Sequence, residues 1–204
     1  IRDTKRKKRK SNSYDCIVGV SGGKDSSRQA HWVRDRLNLR PLLICAAYPP
    51  RQMTEIGAKN LSNLIALGFD MLTVTPAPRT SQRLTLESFL KFGNVCKSTE
   101  MALFSTVPRL AIDLGINTIF WGENPALQVG DSAVLGVDEF DGNNLCNLNT
   151  LTDGGTKWMH KKVQQSYKLD HYIYPDKITF FKKKIDIFYL GAAWDDWSTR
   201  DNAT

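Results

Sequence analysis

Short continuous apolar runs along this chain are separated by longer stretches whose apolar residues recur every three or four positions. The run Tyr14-Asp15-Cys16-Ile17-Val18-Gly19-Val20 has the length and β-branched content of a strand and ends in a glycine-rich turn. Apolar positions at Ala30, Trp32, Val33 and Leu37 then predict an amphipathic helix over Ser26–Leu37. Pro41–Ala47 is apolar almost throughout, as expected of a parallel strand covered on both faces. Thr54 and Glu55 open a helical pattern carried by Ile56, Leu61, Leu64, Ile65 and Leu67, with Gly68 as its stop. Met71–Thr75 reads as a third strand, and Ser81–Phe92 and Thr99–Leu114 as helices, the second ended by Gly115. Thr118–Trp121 is a fourth strand, closed by Gly122-Glu123-Asn124.

Strands alternating with helices predict right-handed βαβ units and an α/β fold, a doubly wound, Rossmann-like parallel sheet. Ligands of such sheets lie beyond the carboxyl ends of the strands. That places the residues after Val20, Ala46-Ala47-Tyr48, Thr75 and Gly122-Glu123-Asn124 along one edge. Periodicity fades over 125–157, a stretch rich in Asp, Asn and Gly, which is expected to be a loop-rich excursion covering a substrate or forming an interface. An aromatic-rich segment, Ile185–Leu190, and Gly191-Ala192-Ala193-Trp194-Asp195-Asp196-Trp197 follow it.

Composition narrows the function classes through where the charge sits. The chain of 204 residues carries 28 basic and 21 acidic residues, for a net charge of +7. Seven of the basic residues and one acidic residue fall within residues 1–10, leaving 21 against 20 in the rest. A nucleic-acid surface needs its basic footprint spread over a folded face. Here residues 1–13 read as a basic leader or linker before one domain over 14–204, and the balance argues against nucleic acid. No apolar stretch approaches the roughly 18 residues that span a bilayer. With Ile at its first position and no signal peptide, the chain is expected to be a cytoplasmic portion of a longer protein. Cys16, Cys45, Cys96 and Cys146 lack CxxC spacing, so neither a disulfide framework nor a zinc site is expected from them.

The sharpest chemistry lies in Ser21-Gly22-Gly23-Lys24-Asp25-Ser26. Strand, glycine turn and helix start together make an anion cradle, because glycines let backbone N–H groups approach a phosphate at the positive end of a helix. Lys24 supplies a mobile cation, and Ser21 and Ser26 supply hydroxyls. Asp25 would repel a bare phosphate, so its presence points to Mg²⁺-bound nucleotide. The spacing is not that of a Walker A loop.

The loop resembles the SGGxDS signature of the PP-loop ATP pyrophosphatases, the adenine-nucleotide alpha-hydrolase-like superfamily. Further segments resemble its N-acetyl sugar amidotransferase branch, from bacterial surface-polysaccharide (lipopolysaccharide) biosynthesis. They are Tyr14-Asp15-Cys16, Asn60-Leu61-Ser62-Asn63-Leu64, Leu67-Gly68-Phe69-Asp70, Phe120-Trp121-Gly122-Glu123-Asn124, Tyr189-Leu190-Gly191 and Trp194-Asp195. The resemblance implies an enzyme that uses ATP and Mg²⁺ to adenylate the acetamido oxygen of an N-acetylated nucleotide sugar. Ammonia from a separate glutaminase partner then displaces AMP, leaving an acetamidino group. Family members often carry a second cysteine close after the position of Cys96; here Lys97-Ser98-Thr99 follows.

On this reading Ser21, Gly22, Gly23, Lys24 and Ser26 bind the pyrophosphate end, Asp25 helps hold Mg²⁺, and the backbone around Ala47 and Tyr48 contacts adenine or ribose. Glu123 and Asn124 sit near the reacting centre, on sugar or metal, and Lys24, Asp25 and Glu123 form the catalytic set. Two alternatives stay open. One is a PP-loop ligase that thiolates tRNA or makes lysidine, favoured by the basic leader. The other is a non-catalytic nucleotide-binding module.

Overall fold

The computed structural model describes residues 14–122, 125, 130–138, 141–164 and 166–194. Its frame is a five-stranded, all-parallel sheet in the order β3-β2-β1-β4-β5. The strands are β1 (Cys16–Gly19), β2 (Pro41–Ala46), β3 (Met71–Val74), β4 (Thr118–Trp121) and β5 (Asp186–Tyr189). The chain builds outward from β1 through β2 to β3, then returns to place β4 and β5 on the other side of β1. The direction of winding therefore reverses between β1 and β4, the kind of point where open α/β sheets form a crevice.

Among the described residues the sheet is covered by helices α1 (Lys24–His31), α2 (Glu55–Ala66), α3 (Pro78–Phe92) and α4 (Lys97–Leu114). Strand alternation divides the interior into two cores. Ile17, Ile44, Ile119 and Ile187 pack with Leu84 of α3 and Met101, Val107 and Ala111 of α4. Val18, Leu43, Cys45 and Phe120 pack with Ala30 of α1, Val33 and Leu64 of α2. This double burial explains why β1 and β2 read as continuous apolar runs.

The element boundaries shift for identifiable reasons. The first helix begins at Lys24, directly on the glycine turn, and its last turn (Trp32–Arg36) is π-type, with the Leu37 N–H donating to the Trp32 carbonyl at 3.1 Å. α3 begins three residues before the expected Ser81, at Pro78, whose ring fixes the φ of a first helical turn. The Ile185–Leu190 segment proves to be an edge strand, with Trp121 paired to Tyr189 in parallel register.

The 125–157 excursion is irregular, yet its described residues are not a detached loop. Short helical pieces at Asn143–Asn147, Asn149–Thr152 and Lys157–His160 bury Leu145, Leu148, Leu151, Trp158 and Met159 in the core beside α4. Its Asp residues close the turns between them. Asp131 accepts from the N–H groups of Ala133 (3.2 Å) and Asn149 (2.9 Å), and Asp141 accepts from those of Val137 and Asn143. The composition that suggested a loop thus serves as local backbone bracing.

His171 gives the fold a pH dependence. Burial, with Arg109 adding to it against the opposing pull of Asp170 and Asp113, holds its pKa below the ordinary 6.5. The unfolded chain protonates this histidine below that value while the folded chain keeps it neutral, so stability falls as pH drops from 6.5 towards the depressed pKa. His171→Gln should flatten the decline in urea midpoint between pH 7 and pH 5. An undiminished decline would remove the assignment. Asp35 and Asp176, whose pKa values lie below 3.8, act in a separate and more acidic window.

Candidate functional site

The glycine loop leaves the C-terminal end of the central strand and enters α1 without a side-chain cap. Gly23 is the N-cap residue, in extended backbone, and supplies no side-chain cap to the first turn. Gly22 is the residue whose backbone demands glycine, with φ of +81°. A Cβ there would lie 3.0 Å from Leu61 Cδ2, 3.2 Å from the Leu61 backbone nitrogen and 3.3 Å from Asn60 Cβ, so α2 backs directly onto the turn.

The serines hold the loop in shape. Ser26 Oγ donates to the Gly23 carbonyl at 3.0 Å and accepts from the Ser21 N–H at 3.3 Å. Ser27 Oγ donates to the same carbonyl at 2.9 Å, and Ser21 Oγ accepts from the Gly23 N–H at 3.3 Å. Ser26 is buried and braces the turn from inside, while Ser21 is exposed on its outer side. Lys24 Nζ meets both carboxylate oxygens of Asp25, at 2.9 and 3.2 Å, with each side chain about one-third exposed (35% and 29%).

Beside the loop lies a cleft of about 510 Å³ at the same strand ends. Ser21 forms part of its wall, with Cys45-Ala46-Ala47-Tyr48 from the end of β2, Thr54, Gly57 and Leu61 from the start of α2, and Cys96, Thr99 and Glu100 from the start of α4. Ser81 and Tyr172 complete the far side. Burial pushes the Tyr172 phenol up to about 12, with the Ser81 hydroxyl pulling the other way. Ser21, Ala47 and Tyr48, placed on one edge by sequence, therefore line one cavity. The Ala47 N–H is already committed to the Val74 carbonyl at 2.9 Å.

Several segments that carried the family resemblance meet in space. Tyr14 Oη donates to Asp70 at 2.8 Å, and the Asn60-Leu61 pair backs Gly22. The Gly191 N–H donates to the Gly122 carbonyl at 2.8 Å, joining the ends of β4 and β5. Trp194 packs edge-on against Trp32, with the Arg28 guanidinium 4.7 Å from its ring centre. Glu123, Asn124 and Asp195 lie outside the described residues.

Sequence reasoning missed Gln29 and the α4 side of the cleft. Gln29 is 2% exposed, and its Oε1 has no hydrogen-bond partner among the described residues. Its amide fills the space that a Cβ on Gly122 would need, which explains glycine at the end of β4. The available signal was a polar residue on the apolar face of α1, between Ser26 and Ala30. Glu100 carried no such signal, because a carboxylate in a first helical turn is ordinary.

Cys96 is exposed, whereas Cys16 and Cys45 are buried, and burial pushes the Cys45 thiol up to about 11. Thiolate is the reactive form. Iodoacetamide at pH 8 should therefore alkylate Cys96 in the native protein and reach Cys16 and Cys45 only after denaturation. Peptide mass mapping showing Cys45 modified as fast as Cys96 would contradict the buried β2 environment.

Compared with known proteins, the chain matches no family model and no curated protein sequence.

Proposed function

We propose that this chain is the ATP-binding, AMP-forming domain of an amidotransferase that converts the acetamido group of an N-acetylated nucleotide sugar into an acetamidino group. The observation that carries the reading is the union of the Ser21–Ser26 loop with the cleft containing Ala47 and Tyr48. The glycine turn and the start of α1 lie there beside a pocket large enough for a nucleoside, with Ser21 in its wall. The order β3-β2-β1-β4-β5, with the loop after β1, supports a doubly wound fold of the adenine-nucleotide alpha-hydrolase-like type.

ATP would lie with its β- and γ-phosphates on the N–H groups of Gly22 and the first turn of α1, and on the Gly23 N–H once it leaves Ser21 Oγ, with its adenosine towards Ala47 and Tyr48. Asp25 beside phosphate oxygens is a donor set suited to Mg²⁺, which prefers a few carboxylate and phosphate oxygens and keeps water. The ion would neutralise phosphate charge there. Lys24 then has two partners to choose between. It is paired with Asp25, and against a nucleotide it can turn to the departing pyrophosphate, whose negative charge grows in the transition state. An amide carbonyl is a poor electrophile, and adenylation of its oxygen makes AMP the leaving group. Glu123 and Asn124, which follow β4 in the chain, are assigned to the sugar side. Ammonia would come from a glutaminase subunit.

The test is turnover. AMP and pyrophosphate should appear together only when ATP, ammonia and an N-acetylated nucleotide sugar are all present. Release that depends on tRNA would replace this reading with an RNA-modifying ligase. ATP binding without turnover on any acceptor would leave a nucleotide-binding module.

A further inference from the structure

Glu100 is the only Asp, Glu, Lys, Arg or His among the described residues lining the cleft. It is half-buried and held by a second element: Thr150 Oγ1 donates to its Oε2 at 2.5 Å. The same residue is fastened from behind, because the Thr150 carbonyl accepts from Lys97 Nζ at 3.0 Å. Lys97 is 3% exposed, its ammonium lies 4.8 Å from the centre of the Phe92 ring, and Asp153 is 3.8 Å away. The lysine thus turns into the protein, towards the 149–153 segment, and is absent from the cleft wall, while Glu100, which it holds through Thr150 and by direct charge attraction, lines the cleft.

A lone carboxylate in a half-enclosed cavity selects for charge. It repels an acceptor that is itself a carboxylate and favours a neutral group that becomes positive as it reacts. An amide does this. When its oxygen attacks the α-phosphorus of ATP, the new O–P bond forms, the bond to the β-phosphate oxygen breaks, and pyrophosphate leaves with the electron pair. The nitrogen lone pair then shares the charge, giving an O-adenylated iminium cation that carries an N–H.

We propose that Glu100 forms the acceptor half of the cleft, selecting a neutral amide-type carbonyl and stabilising the cation that its adenylation creates. This rests on the amidotransferase reading above. Ammonia next adds to the iminium carbon, and Glu100 takes a proton from the new ammonium. The C–O bond breaks and AMP leaves with the oxygen and its electron pair, which gives the amidinium directly; the proton taken by Glu100 passes on to pyrophosphate, whose −3 form carries it. Amide, ammonia and ATP give amidinium, AMP and pyrophosphate with no net proton released, counting ATP, AMP and pyrophosphate as −4, −2 and −3.

Two measurements on wild type and Glu100→Gln test this. The first is saturation-transfer NMR with acetamidinium, acetamide and acetate, each with AMP and pyrophosphate present. Wild type should favour acetamidinium, and Glu100→Gln should weaken that binding about 10- to 100-fold, the value of one charge-assisted hydrogen bond. AMP binding and the melting temperature should stay unchanged. Acetate binding as well as acetamidinium, or a variant with unaltered preference, would overturn the assignment. The second is exchange of labelled pyrophosphate into ATP, driven by UDP-linked N-acetylhexosamines without ammonia, which reads the adenylation step alone. Glu100→Gln should slow it at least about 10-fold, and equal exchange in the two proteins would overturn the proposal. Acetamidinium preference that depends on Glu100, with no exchange in wild type, would sink the sugar amidotransferase reading while leaving the charge assignment standing.

Discussion

Lys24→Ala is expected to lower the turnover number about 100-fold or more while changing the KM for ATP much less. Lys24 is the first residue of α1, immediately after the uncapped Gly23, and its ammonium can reach whatever anion the loop holds. Its pairing with Asp25 at 2.9 and 3.2 Å gives the cation an ionic partner within the loop itself. Binding ATP therefore exchanges one ionic partner for another and gains little. The gain comes later, as negative charge builds on the departing pyrophosphate, and an interaction that strengthens only in the transition state appears in kcat. Lys24→Arg should rescue little of the loss, because a planar guanidinium does not reproduce the reach and direction of a compact ammonium. Steady-state kinetics on the purified variants measure this directly. An unchanged kcat in Lys24→Ala would remove Lys24 from the chemistry.

Gly22→Val should abolish measurable ATP binding, and it should do so through the backbone. With φ at +81°, a β-branched residue is strained by at least about 1–2 kcal/mol. Its Cβ would also meet the Leu61 backbone nitrogen at 3.2 Å, which belongs to helix α2 and cannot rotate away. The loop must therefore shift, and its N–H groups lose their common direction. We expect affinity for ATP to fall about 100-fold or more, the loss of two charge-assisted hydrogen bonds, with a lower melting temperature. Gly23→Ala is the control. Gly23 sits at φ −71°, and the nearest atom to an added Cβ is Ser21 Oγ at 3.4 Å, so the fold should tolerate the change. Calorimetric titration with ATP compares the two. Normal binding by Gly22→Val would show that this turn is not the phosphate cradle.

The parts of the fold readable in the sequence were those where local pattern and burial agree. β1, β2 and β4 are buried on both faces, so their apolar runs announce them, and Gly68 and Gly115 stop helices where positive φ is required. β5 was hidden because Asp186–Tyr189 follows a lysine run at a sheet edge and becomes a strand only by pairing with β4. Over 125–157 the sequence announces only turns, because Asp and Asn close them equally well in a loop and in a packed chain of short helices. Of the site, the loop and the edge carrying Ala47 and Tyr48 were legible, since strand ends and glycine turns follow from sequence order. The contributions of Gln29 and Glu100 were not. Each depends on a contact over long sequence separation, Gln29 with Gly122 and Glu100 with Thr150. Ser26, expected among the phosphate donors, also donates to the Gly23 carbonyl within the turn, a contact the motif does not announce.

The adenylation step leaves one atom-level trace. If the acetamido oxygen attacks the α-phosphorus and AMP is later expelled from carbon, that oxygen must depart on AMP. An N-acetylated nucleotide sugar labelled with ¹⁸O in the acetamido carbonyl, incubated with ATP and ammonia, should yield AMP heavier by one ¹⁸O and an acetamidino product without the label. Unlabelled AMP, or label in inorganic phosphate alongside ADP, would contradict the proposed chemistry.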